Sequence, residues 1–365
     1  MALTRLAADN AHGGGVGDFM ATEGKVVAGD LPENPPSNRY RPKHKFGIGG
    51  VAIGNAFAPT TDELTDQTLQ TAWDLGVRYF DTSPWYGLGL SERRLGHFLK
   101  NHSPEEYVLS TKIGRILTAT KSPPMTMWHA PSPFTYRYDY SAEGARRSIE
   151  DSLQRLGVSQ IDIVFIHDLS PDNGEMGERW TEYFDEAVRG AMPELTKMRD
   201  EGLIKAWGFG VNRPEPALKA VEVANPDIFL LACQYSLIDH AQAAEKTLPK
   251  LAEKNVSVVV GAPLMAGYLA GRERYLYGGG IPQGAAEKRW KLSEVAKRYG
   301  VDLKTASLQF AAAPQVVSSV IPGVRTPDQV RSNVESMKVQ IPNDFWAELK
   351  ETGLVSKYAE TPQIS

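Results

Sequence analysis

From residue 46 onward, eight short apolar runs alternate with longer stretches of helical periodicity. The runs are 46–50 (FGIGG), 77–81 (VRYFD), 107–112 (YVLSTK), 161–166 (IDIVFI), 204–210 (IKAWGFG), 228–233 (IFLLAC), 256–262 (VSVVVGA) and 316–321 (VVSSVI). The helical stretches are 62–75, 91–100, 142–156, 185–201, 214–224, 243–254, 286–298 with 303–313, and 327–337. A parallel neighbour strand is reached only through a crossover, so this alternation predicts βα units around a parallel sheet. Eight such units predict an α/β fold, a closed (β/α)8 TIM barrel, with a doubly wound open sheet as the alternative.

Several helix ends are marked. Thr61 or Asp62 is a candidate N-cap, Gly76 and Gly157 sit where C′ glycines belong, and "TPDQ" at 326–329 reads as a capping box with proline in the first turn. Residues 1–40, with their glycines and "PENPP", are expected to be a flexible or loosely docked extension. The barrel is expected over 41–345 and a tail over 346–365. Two of its loops are long, 113–141 after the third strand and 263–285 after the seventh, and both are rich in aromatics. Loops of that length usually wall or cover a site.

Composition excludes several functions. A net charge of −4, without a long basic run, lacks the electrostatic footprint of a nucleic-acid binder. The single cysteine, Cys233, rules out an internal disulfide and any multi-thiolate zinc site, and no metal is expected. No apolar run reaches the roughly 18 residues of a membrane span, and the start has no continuous apolar segment of a secretory signal. The cytoplasm is therefore the expected location, and a small molecule the expected partner.

Barrel chemistry gathers at the C-terminal ends of the strands. Asp81 ends the second strand, Tyr86 follows it, Lys112 ends the third and His167 ends the fourth. Neighbouring parallel strands lie about 4.8 Å apart, so these groups can share one cavity. A phenol beside an ammonium is expected to titrate below its usual value of about 10, with the aspartate holding the lysine charged. Tyr86 then acts as general acid or base on a carbonyl or alkoxide oxygen, assisted by His167.

At these residues the sequence resembles the aldo-keto reductase superfamily. The resemblance spans about 41–340 and is carried by "YFDTSPWYGLGLSERRLG", "VLSTKIG", "IDIVFIHD", "GLIKAWGFGVN", "CQYSLID", "APLMAGYLAG" and "IPGVRTPDQVRSN". It implies a barrel that moves hydride between a nicotinamide cofactor and a carbonyl or alcohol. The family's tetrad falls on Asp81, Tyr86, Lys112 and His167.

"GIGGVA" at 47–52 matches a dinucleotide fingerprint in letters only, because "IGNAFAPTT" separates it from the next helix. The resemblance instead places the adenosine end of the cofactor at Gly323, Arg325, Gln329 and Asn333, where the last helix begins and its free N–H groups attract phosphate. It places the nicotinamide amide at Asn212 and Gln234, and the pyrophosphate along Pro263, Leu264, Gly267 and Gly271. Arg325 as partner of a 2′-phosphate favours NADP, with NAD as the alternative.

Trp85, Trp128 and Phe134 are expected to wall the substrate. "SPWYGLGLSE" and "GFGVN" resemble the aldose and pyridoxal dehydrogenase branch of the family, which implies oxidation of a sugar hemiacetal or reversible reduction of a ketone, aldehyde or pyridoxal. Two other readings stay open: a Schiff-base aldolase using Lys112, and a nicotinamide-binding barrel without turnover.

Overall fold

Every expected barrel strand is present, most of them one or two residues shorter than the apolar run that announced it. The computed structural model describes residues 30–277 and 280–364. Its strands are β1 Ile48–Gly49, β2 Tyr79–Asp81, β3 Val108–Ile113, β4 Arg115–Ala119, β5 Phe134–Tyr138, β6 Ile163–His167, β7 Ala206–Val211, β8 Ile228–Ala232, β9 Ser257–Gly261 and β10 Val317–Ile321.

Eight strands pair in parallel in the order β1-β2-β3-β6-β7-β8-β9-β10. Bridges from Phe46 to Val320 and from Gly49 to Gly323 join the first strand to the last. The ring therefore closes, and the open-sheet alternative falls with it. After β1 the chain turns through residues 50–55, and the next helix, Asp62–Asp74, begins only where the Thr61 hydroxyl accepts from the Leu64 N–H at 3.2 Å. "GIGGVA" thus opens into turns, as its spacing from the helix requires.

Strand alternation sorts the side chains into two layers. Tyr79, Ile163, Phe165, Ala206, Ile228, Leu230, Val259 and Ile321 pack together in the lumen. Phe80, Leu109, Val164, Phe209, Phe229 and Val258 face outward into the larger core under the helices. Asp81, Lys112 and His167 share the parity of the lumen residues Tyr79 and Phe165, so the pleat itself aims them at the mouth. In register, Asp81 pairs with Ser110 and Lys112 pairs with Phe165. Lys112 thus stands two residues beyond the level of Asp81 and reaches back to it.

Two departures from the sequence reading have a physical cause. The single helix expected over 185–201 is two, Trp180–Arg189 and Ala191–Asp200. The break falls at Gly190, where a Cβ would come within 2.7 Å of the Ala142 nitrogen and where the Ala191 N–H donates to the Tyr140 carbonyl. The loop expected over 113–141 contains a hairpin, with β4 antiparallel to β5 and Arg115 opposite Tyr138.

Residues 30–45 lie against the N-terminal ends of the strands. The Asn34 amide donates to the Ser318 carbonyl, Arg39 pairs with Asp227, and Tyr40 packs on the lumen cluster. The rest of the expected extension, 1–29, lies outside the described residues. The helix Asn343–Glu351 spans the expected barrel end at 345, with Phe345 and Trp346 buried in the core.

Candidate active site

The four side chains singled out in the sequence converge at the C-terminal mouth. Lys112 Nζ donates to both oxygens of Asp81, at 2.9 and 2.8 Å, and to the Thr82 carbonyl at 2.7 Å. Ser110 Oγ adds a fourth tie, donating to Asp81 Oδ1 at 2.7 Å. The lysine stem runs beside Gly210 on β7, where a Cβ would meet Lys112 Cε at ordinary contact distance, 3.5 Å. The same ammonium lies 4.6 Å from the centre of the Tyr86 ring, and the Tyr86 and His167 rings meet edge to face at 5.8 Å.

The expected depression of the Tyr86 pKa is overturned. Burial pushes the phenol well up, and the negative charge of Asp81 adds to it. The three donors of Lys112 are spent on Asp81 and Thr82, so the ammonium meets the face of the ring as one half of a neutralised pair. Within that pair, burial draws Asp81 up and Lys112 down, while their mutual attraction opposes both shifts. Tyr86 therefore stands as a protonated donor.

His167 is held well below its usual value, by burial first and then by the charges of Lys112 and Arg115. Its Nδ1 is 3.1 Å from Ser83 Oγ and 3.5 Å from Arg115 Nη1. Arginine can only donate, so we assign Nδ1 as acceptor and the proton to Nε2. The imidazole can then donate from Nε2 while staying neutral.

Two cavities meet at this point. One, of about 430 Å³, runs toward the start of the helix Pro327–Ser336, and the other, of about 460 Å³, runs under the β4–β5 hairpin. Val51, Tyr86, Leu230, Ala232 and Tyr277 line both.

The first cavity is cationic. Arg272, Arg274, Lys304 and Arg325 line it against two acids, Asp328 and Asp81, the second already paired with Lys112. Burial, then repulsion from Arg272, lowers Arg325, and burial, Arg272 and Arg325 together lower Arg274. Pro263, Leu264, Gly267, Gly323, Gln329 and Asn333 also line it. The Thr326 hydroxyl caps the helix Pro327–Ser336 by accepting from the Gln329 N–H, and Gln329 Oε1 accepts from the Arg325 N–H, one residue before the cap. Arg274 lies 3.8 Å over the Phe57 ring and donates to the Ala266 carbonyl, tying the loop after β9 to the loop after β1.

Four expected site residues stand elsewhere. Gly271 lines an adjoining cavity that shares Lys304 and Ser332 with the first. Asn212 lines the second cavity, where its amide donates to Asp172 at 3.1 Å. Gln234 lines neither and points its amide at the Val211 carbonyl, 3.5 Å away. Phe134 also lines neither, because on β5 it faces the same way as Tyr138 but lies about 13 Å further along the strand.

Trp85 and Trp128 do line the second cavity, in edge contact at 5.6 Å. The sequence reading missed what packs against them. Arg115 is buried with its guanidinium 4.6 Å from the Trp85 ring and 5.0 Å from that of Tyr138, and it donates to Asp168 at 2.8 Å. Arg115 directly follows "VLSTKIG" and Asp168 ends "IDIVFIHD", but nothing linear says that they meet.

The closed parallel ring thus sets a buried tyrosine between a cationic cavity and an aromatic one. Residues 45–353 match the aldo/keto reductase family, and the chain belongs to it as an NAD(P)-dependent oxidoreductase. It is 35% identical over 328 residues to a pyridoxal 4-dehydrogenase of Microbacterium luteolum, covering 85% of this chain and 94% of that one. It is 34% identical over 321 residues to a D-threo-aldose 1-dehydrogenase of a Pseudomonas species, with the same coverage. The holo form of an aldo-keto reductase from Bacillus halodurans superposes with a TM-score of 0.65 at 23% identity, covering 92% of this chain and 98% of that one. A glycerol dehydrogenase from Gluconobacter oxydans gives 0.65 at 22%, covering 93% and 98%. The two superpositions speak for the shared fold. Among the described residues no helix is long and apolar enough to cross a membrane.

Proposed function

We propose that the chain is an NADP-linked aldose dehydrogenase that oxidises the hemiacetal carbon of a sugar to a lactone, and that it reduces the corresponding carbonyl in reverse. The single observation that carries this reading is the position of Tyr86, in the wall shared by the cationic and the aromatic cavity. A proton donor at that junction reaches a substrate in one cavity while a nucleotide fills the other.

The cationic cavity suits the nucleotide. Its arginines repel one another, and of its two acids Asp81 is already paired with Lys112, so a polyphosphate relieves the excess of positive charge. Arg325 and Lys304 are the partners offered to a 2′-phosphate, and the N-terminus of the helix Pro327–Ser336 adds its free N–H groups. A nicotinamide held there would supply or take the hydride.

The remaining work belongs to the chain. Tyr86 passes its proton to the carbonyl oxygen during reduction and takes the hydroxyl proton during oxidation. His167 donates from Nε2 to the same oxygen and orients it. The Lys112–Asp81 pair holds the phenol by its ring face and completes a buried, neutral surround. Trp85 and Trp128 exclude water and give a sugar ring an apolar edge to lie on.

The names of the two relatives above support aldoses and pyridoxal as the first compounds to try. The test follows reduced-cofactor absorbance with NADP and NAD separately, across D-threo aldoses, pyridoxal and simple ketones. Aldose turnover with preference for NADP supports the reading, whereas turnover of pyridoxal or ketones without aldoses replaces it.

A further inference from the structure

The aromatic cavity contains three carboxylates on the loop after β6, and two of them are fully engaged within the protein. Glu175 accepts from the Tyr136 hydroxyl at 2.5 Å and from the Tyr138 hydroxyl at 3.0 Å, one on each oxygen. Asp172 accepts from Ser170 at 2.5 Å and from Asn212 at 3.1 Å, again one on each. Asp168 differs. Its Oδ2 accepts from Arg115 at 2.8 Å, while its Oδ1 has only a long contact of 3.4 Å to His167 Nε2.

That free oxygen is held in place. Asp168 adopts a left-handed backbone conformation, φ 48°, which aspartate tolerates better than most residues. Its N–H donates to the Gly210 carbonyl and its own carbonyl accepts from the Asn173 amide. Arg115, which fixes Oδ2, is in turn boxed by Trp85 and Tyr138 and donates to the Tyr138 hydroxyl. The carboxylate is thus anchored from one side and open to the cavity on the other, with about a quarter (23%) of its side chain accessible.

His167 Nε2 is also the group that meets the reacting oxygen of a substrate. Oxygens on adjacent carbons sit at hydrogen-bonding distance from each other, so a substrate oxygen on Nε2 brings its vicinal hydroxyl to Asp168 Oδ1. We propose that Asp168, positioned by Arg115, accepts a hydrogen bond from the hydroxyl on the carbon next to the reacting carbon, so that the site selects α-hydroxy carbonyl compounds and the aldoses that contain them. The inference deepens the aldose reading and rests on its assignment of the reacting oxygen to Tyr86 and His167. Asp168 is then a binding residue that sets specificity, and Arg115 a positioning residue.

The test compares kcat/KM within matched pairs that differ by that one hydroxyl: D-arabinose against 2-deoxy-D-ribose in oxidation, and glycolaldehyde against acetaldehyde in reduction. A hydroxyl on a charged acceptor is expected to favour the hydroxylated member by about 10- to 100-fold. Asp168→Ala is expected to bring both ratios toward one, and Arg115→Met to lower them by freeing the carboxylate. Asp168→Asn, which keeps an acceptor and the shape, serves where the alanine variant does not fold, and is expected to retain part of the ratio. Ratios near one in the unaltered enzyme, or ratios unmoved by Asp168→Ala or Asp168→Asn, overturn the assignment. A glycolaldehyde preference that Asp168 controls, without turnover of either sugar, keeps the assignment and removes the aldose reading instead.

Discussion

Lys112 Nζ lies 4.6 Å from the centre of the Tyr86 ring, yet every hydrogen bond it makes runs to Asp81 or to the Thr82 carbonyl. The lysine therefore touches the phenol through its π face, and the proton stays on the tyrosine.

The first prediction concerns that proton. Tyr86→Phe keeps the ring, its contact with Lys112 and the cavity wall, and removes only the hydroxyl. Steady-state turnover is expected to fall by about 10²- to 10⁴-fold, the range of a lost general acid. Fluorescence titration with reduced NADP is expected to give an unchanged dissociation constant. Normal turnover by the phenylalanine variant would reassign the proton donor.

Lys112→Met tests the buried pair through stability. It strands the Asp81 carboxylate, which is 1% exposed, without its cation. Urea denaturation is expected to show a loss of about 3–5 kcal/mol. The double variant Asp81→Asn, Lys112→Met is expected to recover part of that loss, because no unpaired charge then remains inside.

His240 predicts an acid-side loss of stability. Its Nδ1–H donates to the Ser236 carbonyl at 2.8 Å and its Nε2 accepts from the Ser356 N–H at 3.0 Å, a pattern that only the neutral ring completes. Burial and Lys288 push its pKa down to about 4. The unfolded chain binds this proton near pH 6.5 and the folded chain does so only near pH 4, so stability falls as pH drops through that window and levels below it. The size is on the order of 3 kcal/mol. Unfolding curves at pH 7 and pH 4.5 are expected to converge in the His240→Gln variant relative to the unaltered protein.

Arg325 is expected to distinguish the two cofactors. Its backbone N–H is held by Gln329 and its guanidinium donates to the Ala56 carbonyl, so it faces the cationic cavity from a fixed position. Arg325→Ala is expected to raise KM for NADP about tenfold or more, an ion-assisted hydrogen bond, and to leave KM for NAD within about twofold. Equal effects on both would separate Arg325 from the 2′-phosphate.

Much of this fold was legible in the chain. Strand positions follow from β-branched runs such as "VSVVVGA" and helix starts from Thr61 and Thr326, both of which cap as side-chain acceptors. These signals are local, and each is complete within a few residues. The hairpin was hidden because Arg115–Ala119 and Phe134–Tyr138 are separated by fourteen residues without a turn dipeptide at close spacing. The break at Gly190 was hidden because it answers the backbone of Ser141 and Ala142, far back in the sequence.

The sequence alone determined which residues alternate, where strands give way to helices, and that an acid, a phenol, an amine and an imidazole follow one another at strand ends. Only the tertiary structure decided their chemistry. Closing the ring buries all four, and burial reverses the expected shift of Tyr86, neutralises His167 and commits Lys112 to Asp81. It also brings Arg115 of the hairpin onto Asp168 of another loop, a pairing 53 residues apart. Electrostatics and ion pairing depend on distance and on exclusion of water, and neither is written in the order of residues along the chain.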